Sequence, residues 1–220
     1  MKTLINITSY NRKPMLLKLL SQLKNQDIII WDDNSDFNLT GDFEFRKFEK
    51  NYGKILAWRK FNIIFQELNF KDYDYFIFIP DDVILCKNFV NKAIELYKNI
   101  DDKNKICLSL LSDDRIKDPC WTNTQPEIKG DVILTQWSDL CFISDGRFFE
   151  VIESVQVPLD RWNVEPTLGS GVGSKISRQL LRDGYNQYHV TKTLCTHVGS
   201  ISKMNNYTKQ QQKDRLTRLN

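Results

Sequence analysis

No stretch of this 220-residue chain approaches the roughly 18 consecutive apolar residues of a membrane-crossing helix. The N-terminal segment MKTLINITSYNRKP lacks the continuous apolar region and small-residue cleavage site of a secretory leader. The expected setting is therefore cytoplasmic. The cysteines, Cys86, Cys107, Cys120, Cys141 and Cys195, are odd in number and include no C-x-x-C pair. That argues against a zinc site or a disulfide framework, and for buried thiols in a reducing compartment. There is little excess charge: 31 basic against 28 acidic residues leave +3, too little to define a partner. What excess there is gathers late. Between Gly199 and Asn220, Lys203, Lys209, Lys213, Arg215 and Arg218 stand against Asp214 alone, a tail suited to phosphates or simply to water. With 41% hydrophobic residues, what remains is the composition of a globular protein with a sizeable core. No repeat or linker divides it, so a single domain over residues 1–220 is expected.

The order of elements sets the fold class. Thr3 to Tyr10 is a short β-rich run, and Pro14 then suits the first turn of a helix whose apolar residues recur in MLLKLLSQL. DIIIWDDNSD reads as a strand running into an Asx-rich turn. YGKILAWRKFNIIFQEL is helical, YDYFIFIPDD is the most hydrophobic strand, NFVNKAIELYKNI is an amphipathic helix and KICLSLLS is strand again. Such alternation predicts an α/β domain with a mostly parallel central sheet and helices on both faces. Ligands bind such sheets at the carboxyl ends of the strands. Three polar clusters fall there: Thr8 to Arg12, Asp32 to Asp36, and Asp81-Asp82. The second half is less regular. DPCWTNTQPEIKGD reads as loop, VILTQWSDLCFIS as strand-like with a bend at Ser138-Asp139, LGSGVGSKISRQLLRDGY as a glycine-rich loop and helix, and HVTKTLCTHVG as a strand ending at His197.

The carboxylates in FIFIPDDVIL need explaining, because an ionised carboxylate between apolar runs is costly without compensation. Asp81 and Asp82 at a strand end suit Mg²⁺ or Mn²⁺ through oxygen ligands, or else a turn or cap before the helix near Phe89. A neutral His197 suits Mn²⁺ as a further ligand, and also an ordinary structural role. Asp32 and Asp33 can accept hydrogen bonds from a base and ribose, or simply form a turn. Tyr10 can stack on a base and Arg12 offset phosphate charge. GSGVGSK lacks the G-x-x-x-x-G-K-[ST] spacing of a phosphate loop. Its glycines fit a tight turn or close backbone approach.

Together ITSYNRKPMLLKLLSQL, IIIWDDNSD and YFIFIPDDVIL resemble the GT-A fold nucleotide-sugar glycosyltransferases, the family 2 type above all. The resemblance runs from about Met1 to Ile116 and is thin beyond. It implies a nucleotide-sugar-binding half over residues 1–116. Residues 117–220 would form a less regular acceptor half carrying a metal-site histidine and the basic tail. Residue by residue, it implies that Thr8 and Tyr10 line the base pocket with Arg12 beside it. Asp32 would accept from the base, typically uracil, and Asp81 would lie near the ribose or donor sugar. Asp82 would bind the metal that bridges the diphosphate, with His197 completing the site. Pro80 stands where a full D-x-D motif has its first acid, so fewer carboxylates hold the ion.

One departure concerns the catalytic base. Inverting members carry an acidic pair ahead of a Gly-Tyr-like turn. Here Gly184-Tyr185 is present but GSGVGSKISR holds no acid. Asp139 is the first substitute, and Asp160 and Glu165 follow; the other reading is retention, which needs no such base. The resemblance implies a donor such as a UDP-sugar and a glycan or lipid-linked acceptor. The compact chain also resembles small viral glycosyltransferases, which act in the host cytoplasm, some of them on virion glycans and some on hydroxymethylated DNA bases. Trp121, Trp137 and Trp162 with the basic tail suit DNA, a sugar or the core. The alternatives are a nucleotidyltransferase, against which the glycine-free TSYNRKP counts, and a non-catalytic nucleotide- or sugar-binding protein.

Overall fold

The computed structural model describes residues 1–53, 56–112, 125–138, 141–152, 154 and 171–198. The alternation read from the sequence is present: β1 (Thr3–Ser9), α1 (Lys13–Gln22), β2 (Asp27–Asp32), β3 (Glu44–Lys47), α2 (Ala57–Glu67), β4 (Tyr75–Pro80), β5 (Val83–Leu85), α3 (Phe89–Asn99) and β6 (Lys105–Ser109). Beyond them come β7 (Glu127–Lys129), β8 (Val132–Leu134), β9 (Phe142–Ser144), α4 (Arg147–Val151), α5 (Val172–Arg182), β10 (Asn186–Val190) and β11 (Cys195–His197). Nine strands form one sheet in the order β3-β2-β1-β4-β9-β6-β10-β8-β7, and β11 pairs with β5 in a separate two-stranded sheet.

Strand alternation builds a core on each face of the sheet. Ile5 and Ile7 of β1, Ile28 and Ile30 of β2, and Ile77 and Ile79 of β4 face one way, onto Leu16 and Leu19 of α1 and Phe89, Ala93 and Tyr97 of α3. Their neighbours Leu4, Ile29, Trp31, Phe76 and Phe78 face the other way, onto Phe61, Ile64 and Phe65 of α2 and Val172, Ile176 and Leu180 of α5. A strand buried on both faces has no polar face to show, which is why the interiors of β2 and β4 are wholly apolar; β1 buries Asn6 among its apolar residues. Phe65, Phe76, Phe78, Phe142, Phe148 and Phe149 form one aromatic cluster in the second core. Each such ring contributes about 1.5–3 kcal/mol by burial.

The sequence reading and the structure differ in the details of the second half. VILTQWSDLCFIS is not one bent strand but two, β8 and β9, on different parts of the sheet. β9 runs antiparallel between β4 and β6, an insertion of three residues that alternation cannot reveal. HVTKTLCTHVG likewise splits into β10 and β11. β7 lies inside the stretch read as loop, and Lys129 and Val132 close its hairpin with β8. Four thiols are free, and Cys141 and Cys195 lie buried with their Sγ atoms 3.2 Å apart; Cys120 lies outside the described residues.

Candidate functional site

The chain leaves β1 for β2 on one side and reaches β4 on the other. The carboxyl ends of β1 and β4 therefore flank a topological switch point, where such sheets open a crevice. Ladder hydrogen bonds run on past the strand ends and fix the loops there: Asp81 N to Thr8 O at 3.0 Å and Asp33 N to Ser9 O at 2.8 Å. The three clusters read from the sequence do meet at this edge.

Asp81 and Asp82 are both buried, 2% and 6% exposed, yet neither lacks a partner. Asp81 Oδ2 accepts from Ser9 Oγ and from the Tyr10 N–H, both at 3.1 Å. A single terminal nitrogen of Arg12, Nη1, lies 3.0 Å from Asp81 Oδ1 and 3.0 Å from Asp82 Oδ2. The remaining oxygen of Asp82 lies 3.1 Å from His197 Nδ1. That histidine is 115 residues away in the chain. It arrives because β11 pairs antiparallel with β5, His197 opposite Val83, and the Val198 N–H extends the ladder onto Asp82 O at 2.9 Å.

The two carboxylates titrate in opposite directions. Burial pushes Asp81 up, and Arg12 and the Tyr10 N–H offset this only in part. Burial acts the same way on Asp82, but His197 and Arg12 outweigh it and hold that carboxyl below its usual range. Of the two, Asp82 is the one its neighbours favour as the anion.

The second cluster is wired to the first by its own side chains. Asp32 is fully buried; its oxygens accept from the Ser35 N–H at 2.7 Å and Ser35 Oγ at 2.6 Å. Ser35 Oγ in turn accepts from the Asn11 N–H at 2.8 Å, and Asn11 Oδ1 from the Asp36 N–H at 2.9 Å. Asn11 and Asn34 take left-handed backbone (φ 48 and 64), which asparagine tolerates better than most residues. Asp33 accepts from the N–H groups of Tyr52 and Gly53 at 2.8 and 3.1 Å and lies 3.3 Å from Lys60 Nζ. Asp32 and Asp33 therefore spend these oxygens on holding loops. Tyr10 and Thr8 differ: Tyr10 is 42% exposed on the rim and Thr8 is half-buried just below it.

Sequence reading did not pick out Ser9, Asn11, Ser35 or Lys60 individually. The Asp-x-x-Ser spacing from Asp32 to Ser35 is the one local signal, an Asx-type turn. Further along the same edge, His189 of β10 pairs with Ser109 of β6. Its Nδ1 lies 2.9 Å from Thr135 Oγ1 and its ring stacks on Trp137 at 3° between planes. Asp139, Asp160 and Glu165, the base candidates, and the tail from Gly199 onward lie outside the described residues, as do Trp121 and Trp162. Among the described residues no helix is long and apolar enough to cross a membrane.

No protein-family model and no curated protein matches the sequence. Solved structures do match the fold. One is a glucosyl-3-phosphoglycerate synthase from Mycobacterium tuberculosis, in complex with phosphoglyceric acid, which superposes with a TM-score of 0.52 at 11% identity over 99% of this chain and 80% of that one. At that identity the likeness is one of architecture alone, a GT-A, Rossmann-like fold.

Proposed function

We propose that this chain is a glycosyltransferase that moves a sugar from a nucleotide-sugar, a UDP-sugar first of all, to an acceptor hydroxyl, with Mn²⁺ or Mg²⁺ held at Asp82 and His197. The carrying observation is the meeting of Asp82 and His197 at the β1/β4 crevice of a GT-A fold. The spacing of the pair is compatible with a divalent ion as well as with the hydrogen bond the two side chains make without one. Octahedral ligands at about 2.1 Å from such an ion stand about 3 Å apart when adjacent, and Asp82 Oδ1 and His197 Nδ1 are 3.1 Å apart. Among the described residues no three His, Cys, Asp or Glu side chains gather as a full ligand set, so water and diphosphate oxygens would complete it. Bound there, the ion would act as a Lewis acid on the leaving nucleoside diphosphate.

The chain's own residues supply the rest. Tyr10 offers a ring face at the rim for the base. Arg12, next to it, places a guanidinium where phosphate oxygens would lie. Asp81 tethers the Tyr10 N–H and so fixes the turn that presents both side chains. The base that would deprotonate the acceptor is, in this reading, Asp139 ahead of Asp160 and Glu165, or none if configuration is retained. The acceptor is a glycan or a hydroxymethylated DNA base.

The test is a donor screen with Mn²⁺ that reads released nucleoside diphosphate, with glycan acceptors and with hydroxymethylated DNA, and that assigns the product anomer by NMR. Turnover of a UDP-sugar that stops in chelator is expected. UDP binding without turnover of any nucleotide-sugar would make this a binding protein instead. A retained anomer would remove all three acids from the role of base.

A further inference from the structure

Arg12 bears on the metal itself. One nitrogen of its guanidinium bridges Asp81 Oδ1 and Asp82 Oδ2 at 3.0 Å each, while His197 covers the other oxygen of Asp82. Two carboxylates and one guanidinium leave a formal charge of about −1 at the crevice, and a guanidinium in contact with a ligand carboxylate repels an incoming dication. Arg12 is also far more exposed than the two carboxylates it bridges. Its side chain is 35% exposed, against 2% and 9% for the two carboxylates, and it sits on the loop that leads into α1.

We propose that Arg12 is a built-in counter-ion that keeps a divalent cation out of the unliganded site, and that a nucleoside diphosphate admits the cation by drawing Arg12 off the carboxylates onto its own phosphate oxygens. Cation and nucleotide then bind with positive coupling, part of which belongs to Arg12. Coupling is reciprocal: whatever UDP does for the ion's affinity, the ion does for that of UDP. The proposal rests on Asp82 and His197 forming the cation site.

Mn²⁺ binding is measured by the loss of its free-ion EPR signal, with and without UDP, on the wild type and on Arg12→Met, Arg12→Lys and Asp82→Asn. Arg12→Met keeps most of the aliphatic stem and removes the charge. Without UDP it should bind Mn²⁺ at least about tenfold more tightly than wild type, within the usual range of coupling. With UDP the advantage should vanish. Arg12→Lys keeps the charge on a shorter stem that reaches the two carboxylates less well than Arg12 Nη1 does, and should fall between the two. Equal Mn²⁺ affinity of wild type and Arg12→Met without UDP, with Asp82→Asn abolishing it, overturns the counter-ion role and leaves the cation site standing. No Mn²⁺ binding by any form, with or without UDP, overturns the cation site and the proposal with it. Should Arg12→Met fail to fold, wild type and Arg12→Lys still decide. Wild type that binds Mn²⁺ as tightly without UDP as with it overturns the proposal.

Discussion

Asp82→Asn keeps the shape of the side chain and removes the charge that both Arg12 and His197 face. Activity should fall by about 100-fold or more, as when one electrostatic stabiliser of a transition state is lost. The fold should persist, because the same change relieves repulsion from Asp81; circular dichroism and a turnover assay check the two halves. Tyr10→Ala is a cleaner probe of the nucleotide, since an exposed ring holds little of the fold. UDP affinity should drop by about 1–3 kcal/mol, the worth of one stacked base, read by calorimetry; unchanged affinity would mean the base lies elsewhere. These two residues were visible in the sequence because an Asp pair between apolar runs and a Tyr-Asn-Arg turn after a strand are local signals. The occupation of Asp32 by Ser35 and of Asp33 by Lys60 and two loop N–H groups was not visible. Carboxylates waiting for a ligand and carboxylates tying loops read alike in one dimension, and only the third tells which donors have reached them.

Among the elements, the loop ahead of α2 shows what Asp33 does. Asp33→Ala would strip the acceptor from the Tyr52 and Gly53 N–H groups and from a largely buried Lys60. A loss of stability of about 1–3 kcal/mol is expected, the cost of leaving buried donors unpaired, measured by urea unfolding. A loss well under that range would mean that water replaces the carboxylate. The long elements, β1, β2, β4 and the helices α1 to α3, could be read from periodicity because each has six or more residues with a clear apolar pattern. β3, β5, β7, β8, β9 and β11 have three or four residues each, too few for a period of two to declare itself, and only pairing makes them strands. The most consequential of these is β11, since it delivers His197.

Over the whole molecule, acid should find a weak point away from the crevice. Asp102, just before β6, accepts from Tyr188 Oη at 2.6 Å, Asn186 Nδ2 at 2.7 Å and the Asn104 N–H at 2.8 Å, and so ties the start of β6 to β10. Burial alone would raise its carboxyl, but these three donors outweigh burial and hold it below the usual range. A depressed carboxyl gives stability that is fully present above the ordinary value of about 3.9 and is lost as pH falls through the lower folded value. Asp102→Asn should therefore flatten the fall in stability as pH drops below about 4, in denaturation curves taken through the acid range.

The pairing of β11 with β5 also orders events in time. Every strand of the large sheet is complete by Val190, whereas the partner of β5 begins at Cys195. During synthesis the sheet can close while the crevice still has one bare edge, and the imidazole arrives among the last described residues. His197 is thus added only after every strand of the large sheet has been made. A chain cut after Lys192 would retain the nine strands of the large sheet and lose β11, with the core residues Leu194 and Cys195 and the candidate ligand His197. That fragment should keep its far-ultraviolet spectrum and fail to retain Mn²⁺ together with UDP in equilibrium dialysis; retention would show that the ion needs nothing from the end of the chain.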